Sequence, residues 1–531
     1  MSIVSAAFVI FITVVFLLYF IVPKRWQWKV LLIASYCFYS FSDFRYIVFL
    51  LLTTMSTYVL ARYLERIAIE GKAYIKENKS TLSKEERKEY KDTIKKRKQK
   101  TVLIAVVFNL LILIVLKYGN FILLNSVSVL KLLWPTLKVY RLNLFVPLGI
   151  SFYTLQAIGY VVDVYKEQIE ADKNFFQYAL FLSYFPQIIQ GPISRHNQLA
   201  HQLYESHSID YDRMTKGIQL IIWGFIKKLV IADRIGIIVD EIFKHWTVYS
   251  GAYLFFGVAA FGMQLYCDFS GGMDIARGVS QVLGIELTLN FRRPYFSCSL
   301  EEFWRRWHIT LGAFMREYIF YPVSLSKASG RLGKKARNIF GNYIGKKLPT
   351  FLAMFLVFIL VGIWHGPQWK YIGYGLYNGA IIVSSILLEP IYESVAARLH
   401  IDRESKGWRL FRMVRTFAIC SMGRFFSRAK SFKIAIKMML ATVLHFNMPS
   451  QTLSLTELGI VREDVIMLIV MLCILLIVGI LQEKEIRIRD SIASKNIVFR
   501  WTIYIGAILL VALYGMYGPG NSGEGFIYEQ F

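Results

Sequence analysis

Charge is scarce in this chain. Asp, Glu, Lys and Arg make up 18% of its 531 residues, while 55% are hydrophobic; soluble proteins carry roughly a quarter charged. A soluble chain could not keep so many Leu, Ile, Val and Phe from water, and a mean hydropathy of +0.44 points to a membrane. Ordinary soluble, disordered and fibrous classes are excluded together. Cysteine is also sparse. Cys37, Cys267, Cys298, Cys420 and Cys473 are odd in number and scattered, with no CxxC pair, which argues against a disulfide framework or a zinc site. A GxSxG elbow, a Cys-His-acid set, an HExxH motif and paired carboxylates are all missing, so neither a serine or cysteine nucleophile nor a metal is expected.

Acidic residues are the scarcer charge, 36 against 62 Lys and Arg, for a net charge of +26. In a soluble protein that excess would suggest nucleic acid. In a polytopic one, basic loops stay on the cytoplasmic side beside anionic headgroups, so the expected partner is membrane lipid and not nucleic acid.

What is abundant is apolar runs of spanning length, ended by charge clusters. They lie near 5–22, 30–60 (two helices turning at Ser42-Asp43), 102–118, 120–134, 144–164, 175–190, 215–232, 251–267, 350–365, 370–389, 464–481 and 500–517. Segments 303–321 and 410–446 mix Trp, Arg and His into the pattern and read as re-entrant or interfacial. The expected fold is all-α and polytopic, with about 10–13 membrane helices. Ser5 to Val22 reads as a retained first helix. Residues 62–100 read as a polar helical hairpin, with Ser83-Lys84-Glu85-Glu86 as a helix start. This hairpin and a basic loop at 326–347 are expected in the cytoplasm, the amino terminus outside. No internal repeat or long linker interrupts the chain, which reads as one membrane domain, 1–531.

Polar residues inside a bilayer cost a few kcal/mol unless partnered or solvated, so they mark cavities. One group runs from Gln264 through Asp268, Asp274, Asn290, Arg292-Arg293 and Trp304-Arg305-Arg306-Trp307-His308 to Arg316-Glu317. The second is Gly362-Ile363-Trp364-His365-Gly366-Pro367 with Tyr374 and Asn378. At 1.5 Å per residue, the apolar run from Pro349 carries His365 roughly 23 Å from the basic loop. Gly366 and Pro367 then break the helix where only protein or a watery cavity tolerates it. An imidazole there can take a proton from an attacking hydroxyl; the alternative is a ring satisfied by a backbone carbonyl. His308 is the weaker candidate, its alternative an interfacial Trp/Arg belt. His196, His201, His207, His245, His400 and His445 read as surface residues. At least one of Asp268 and Asp274 reads as structural, paired with Arg277 or another Arg.

Ser299-Leu300-Glu301-Glu302-Phe303-Trp304-Arg305-Arg306-Trp307-His308-Ile309-Thr310 and Gly362-Ile363-Trp364-His365-Gly366 resemble the membrane-bound O-acyltransferase family. Further blocks are similar: Pro147 to Gln156 with Asp163-Val164-Tyr165, Phe185 to Ile193, Tyr266 to Asp274, Asn290 to Tyr295, and, shared with the bacterial branch, Tyr19 to Arg25, Phe425 to Ala429 and Phe526 to Phe531. The resemblance covers essentially the whole chain, and the alginate, peptidoglycan and cellulose O-acetylation proteins look most alike. It implies a ring of helices around a central funnel. It also implies His365 as the catalytic histidine and His308 as a second catalytic position that orients donor or acceptor. Trp304, Arg306, Trp307, Trp364, Asp268, Asn290, Gln156 and Asn378 are expected to bind substrate or line the cavity. Arg316-Glu317 departs from the commoner Arg-Asp, and Asn378 stands where His-Gly often closes the second block.

The function so implied is acetyl transfer in a bacterial plasma membrane. A cytoplasmic thioester, acetyl-CoA, would supply the group, with no tightly bound cofactor. A polysaccharide outside, or an extracellular SGNH-type esterase-like partner, would receive it. D-alanyl transfer from an acyl carrier protein's phosphopantetheine to teichoic acid is the alternative on the same fold. A transporter or flippase is the alternative of another class, disfavoured because no inverted repeat is visible.

Overall fold

The structure is a computed structural model describing residues 3–188, 190–446, 457–517 and 526–527. Ile189 and residues 528–531 of the motif blocks lie outside them. The described residues form helices, with one isolated antiparallel bridge between Phe291 and Trp307. Each apolar run of the sequence carries helix over most of its described length, with 131–134 and 144–149 outside helices. The chain divides into two compact units, Met1–Gly217 with Ala276–Thr288, and Ile218–Ile275 with Leu289–Phe531.

Among the described residues six helices are long and apolar enough to cross a membrane: Tyr46–Glu77, Lys84–Leu130, Gly251–Val282, Lys327–His365, Arg462–Glu483 and Ile497–Tyr514. Trp369–Leu387 with Glu389–Arg398, bent by 56°, makes a seventh if taken as one span. The count is below the expected ten because several apolar runs fold as shorter pieces, such as Ile150–Tyr165 and Phe175–Ser183. The runs 102–118 and 120–134 join in one helix that ends at Leu130. Lys117, inside the first of these runs, sits in a π turn at Ile114–Tyr118 and donates to Ser151 Oγ at 3.0 Å.

In the first unit the polar hairpin forms as its sequence dictates. Ser83 Oγ accepts from the Glu86 N–H, and Glu86 accepts from the Ser83 N–H at 2.8 Å, a reciprocal cap that starts the helix. Lys72 and Lys98 both reach Glu167 at 2.6 Å, and their hydrogen bonds hold its carboxyl below the usual carboxylate range. Before the helix Ile150–Tyr165, Gly149 takes φ +71°, and a Cβ there would lie 2.2 Å from the Ile188 carbonyl oxygen.

The second unit holds the long helix Lys327–His365. The basic segment 326–347 is therefore helical and not a loop. Ser326 caps it, and Gly341, at φ +81° and ψ 172°, folds it back on itself. Gly345 then lies so near Arg337 that a Cβ would come within 2.6 Å of the Arg337 Cα. A one-sign charge run looks like a loop in sequence, but a glycine that can turn left lets two helical halves pack. Segment 303–321 is broken into Leu300–Arg306, Ile309–Met315 and a π turn Arg316–Phe320. Segment 410–446 is two helices, Lys406–Arg428 and Phe432–Leu444, the second capped by Ser431.

Gly149→Ala combines a left-handed backbone with a blocked Cβ. It should destabilise the protein by on the order of 1–3 kcal/mol, read as a lower thermal midpoint in detergent, whereas Gly407→Ala, where a Cβ meets open space, should not.

Candidate active site

The site is built from two chain breaks in the second unit. At the first, the helix Leu300–Arg306 stops, Trp307 runs extended, and His308 takes φ +47° before the helix Ile309–Met315. A non-glycine residue in the left-handed region needs outside support. It comes from Asn290. The Asn290 Oδ1 accepts from the Thr310 N–H and the Thr310 hydroxyl, each at 2.9 Å, and the Asn290 carbonyl accepts from the Ile309 N–H at 3.0 Å. Beside them the Arg292 N–H donates to the Arg306 carbonyl at 2.9 Å. Because the Thr310 N–H can only donate, it fixes which amide atom of Asn290 is oxygen. His308 Nδ1, 3.3 Å from that oxygen, then carries the proton, leaving Nε2 with the lone pair.

At the second break the helix Lys327–His365 ends at the imidazole itself, and Gly366-Pro367-Gln368 turn the chain into Trp369–Leu387. These two helices approach closely because their facing residues are glycines: a Cβ on Gly362 would lie 2.4 Å from the Tyr371 carbonyl oxygen, and one on Gly375 2.3 Å from that of Phe358.

Rings join the two breaks. His308 lies 5.6 Å from Trp364 between centroids, Trp364 lies 5.2 Å from His365, and His365 lies 5.7 Å from Tyr374. Both histidines are buried, His308 at 2% exposure and His365 at 8%. His308 lies outside the six apolar helices. Burial holds its imidazole well below the ordinary value, down to about 3, with His365 pushing the same way, so the ring is neutral at physiological pH. Trp304 packs edge-on against Phe358 at 5.4 Å, and its Nε1 is buried without a hydrogen-bond partner among the described residues. Trp307 stacks on Phe303 at 5.4 Å and meets Phe291 at 5.0 Å.

The other candidates have partners of their own. Arg306 is committed to Glu483 at 2.5 Å and Glu302 at 2.7 Å. Asn378 is buried and donates to the Tyr374 carbonyl of its own helix at 2.8 Å. Asp268 pairs with Lys228 at 2.7 Å and accepts from the Ile527 N–H at 3.0 Å, while Asp274 pairs with Lys227 at 2.7 Å. Both aspartates thus have a lysine partner and a structural role. Gln156 belongs to the first unit, where its Oε1 accepts from Gln187 Nε2 at 2.9 Å. His196 is not a surface residue: it pairs with Asp172 at 2.7 Å and packs against Tyr160 and Phe181. Sequence reasoning missed Lys227, Lys228, Glu483 and Arg424, the last buried with its guanidinium 5.7 Å from the Trp307 ring. The signal for the lysines was two adjacent charges inside an apolar run.

Asn290→Ala should strip the Thr310 N–H and hydroxyl of their acceptor, at a cost of on the order of 1–3 kcal/mol. Asn290→Asp keeps an oxygen there and should lose less, both read as thermal midpoints of the purified protein.

Comparison with known proteins identifies the family. The family model of the membrane-bound O-acyltransferases matches residues 36–340, which include His308; His365 lies beyond that match. Probable alginate O-acetylase AlgI of Pseudomonas syringae pv. tomato is 28% identical over 79% of this chain and 71% of its own length. A peptidoglycan O-acetyltransferase of Helicobacter pylori is 29% identical over 81% and 77%. A teichoic acid D-alanyltransferase of Bacillus subtilis is 28% identical over 45% and 59%. A match over more than half of the chain, on an all-helical polytopic fold, settles the family: this multi-pass membrane protein is an acyltransferase and belongs to the membrane-bound O-acyltransferases.

Proposed function

We propose that the chain takes an acetyl group from a cytoplasmic thioester, acetyl-CoA, and passes it through the plasma membrane. The acceptor is an extracytoplasmic polysaccharide or an SGNH-type esterase-like partner that completes the transfer. The observation that carries this is the position of His365, at the broken end of an apolar helix and one tryptophan away from His308. The relatives named for alginate and peptidoglycan acetylation align over about four-fifths of this chain, and the one named for D-alanyl transfer over 45%. That difference favours acetyl transfer over the D-alanyl alternative. A flippase reading explains neither the paired histidines nor the family.

The chemistry asks little of the protein, because a thioester is already activated. His365 accepts the proton of the acceptor hydroxyl as its oxygen bonds to the carbonyl carbon. The resulting tetrahedral oxyanion collapses, the carbon–sulfur bond breaks, and the thiolate leaves and takes up the proton. His308, neutral and fixed by Asn290, orients the reacting groups, and the Trp304 indole N–H supplies a donor for a carbonyl oxygen.

His365→Ala should lower acetyl transfer by about 10²–10⁴-fold while the protein inserts and elutes as the wild type does. The assay supplies radiolabelled acetyl-CoA to purified membranes beside a D-alanyl carrier protein. Undiminished transfer by the variant would reject the assignment, and transfer from the D-alanyl carrier alone would move the substrate to teichoic acid.

A further inference from the structure

We propose that a pocket lined by Arg292, Arg293 and Arg487 binds the phosphate of the pantetheine thioester donor. The inference rests on the acyl-transfer reading and deepens it. The pocket measures about 380 Å³ and is completed by Gln482, Glu485 and Ile486. It lies where the apolar helix Arg462–Glu483 ends, at the start of a stretch carrying Lys484, Arg487, Arg489 and Lys495. The positive-inside rule puts such a stretch in the cytoplasm, the donor's side.

The charges around the pocket are unevenly committed. Glu483 is held by Arg293 at 2.9 Å and by Arg306 at 2.5 Å, and Arg306 also holds Glu302. Arg293 spends a further N–H on the Gln482 carbonyl at 2.7 Å. The Arg292 and Arg487 side chains have no hydrogen-bond or carboxylate partner among the described residues, and Glu485 is the acid of the lining. Two uncommitted guanidiniums beside a third that is fixed in place suit a phosphate, which accepts paired N–H donors from the planar fork. The frame is rigid. Arg293 is held at φ +49° and leads into Pro294, and Glu485 at φ +61° turns the chain after the apolar helix.

The pocket is tied to the chemistry by backbone. Arg292 sits on the same short pairing as Phe291–Trp307, and two residues earlier Asn290 holds the His308 turn. Two extended residues span about 7 Å, so an anchored phosphate and the buried histidine are positioned by one stiff element. The pantetheine arm would lead the thioester inward from the anchor. Coenzyme A and a carrier-borne phosphopantetheine share this phosphate chemistry, and an anionic lipid headgroup shares it too.

The test uses the full-length protein in phosphatidylcholine nanodiscs, comparing wild type with Arg292→Gln/Arg487→Gln. Donors are acetyl-CoA, acetyl-phosphopantetheine on a carrier protein, and acetyl-pantetheine, which has no phosphate. The double variant should raise KM for the phosphate-bearing donor by about tenfold or more with kcat within about twofold, leaving acetyl-pantetheine unchanged. Unchanged kinetics with acetyl-pantetheine also show that the variant folds. Binding of coenzyme A, followed by calorimetry, should weaken with salt in the wild type and much less in the variant. Equal KM values, or equal losses with and without phosphate, would overturn the proposal. An effect that appears only when phosphatidylglycerol is added would overturn it in favour of a lipid site. A wild type that uses no thioester at all would sink the acyl-transfer reading, whereas an active wild type matched by its double variant sinks only the pocket.

Discussion

The site depends on one amide. Asn290 accepts two hydrogen bonds from Thr310 on its side-chain oxygen and one from Ile309 on its carbonyl, in an interior where an unmade hydrogen bond costs its full desolvation. Those bonds hold His308 in a left-handed turn that its own side chain does not favour. From that turn the ring reaches Trp364, and through it His365. A helix could not present both histidines this way. The two breaks in regular structure are what bring residues from positions 308 and 365 into one aromatic cluster.

Around this cluster the second unit balances its buried charges in pairs. Lys228 lies between Asp268 and Asp233, at 2.7 and 2.9 Å, and Lys227 between Asp274 and the Ser270 hydroxyl. Arg424 spreads over Tyr295, Phe303 and Trp307 and donates to the Tyr295 hydroxyl at 3.1 Å. Breaking such a pair by removing one partner leaves an uncompensated buried charge, which is far costlier than the pair is stabilising. The polar residues that look out of place in an apolar sequence therefore fall into two kinds. Some, such as Asp268, lock helices together; others, His308 and His365 among them, gather in the aromatic cluster.

Much of this was legible. The apolar runs marked helices, Ser83 to Glu86 marked a capping box, and Gly366-Pro367 marked the helix end at His365. Asn290 and His308 stood out because polar groups in apolar surroundings need a reason. What stayed hidden was pairing over distance. Arg306 and Glu483 are 177 positions apart, and nothing local to either announces the other, so the two carboxylates that hold Arg306 were not foreseen. Lys227-Lys228 lay unremarked inside the apolar run 215–232, and the aspartates that balance them are some 40 positions away in sequence. The segment 326–347 looked like a loop because its charge is of one sign, and only the turn at Gly341 shows that its helical halves pack on each other.

The central claim is that the imidazole of His365 stands where reagents from both aqueous sides can meet. The direct test places a cysteine there, His365→Cys, after the five native cysteines have been replaced by alanine. Membrane-impermeant maleimide is then applied to sealed right-side-out and inside-out vesicles. The account predicts modification at position 365 from both faces, slowed on the cytoplasmic face by coenzyme A. A thiol that reacted from neither face would contradict it.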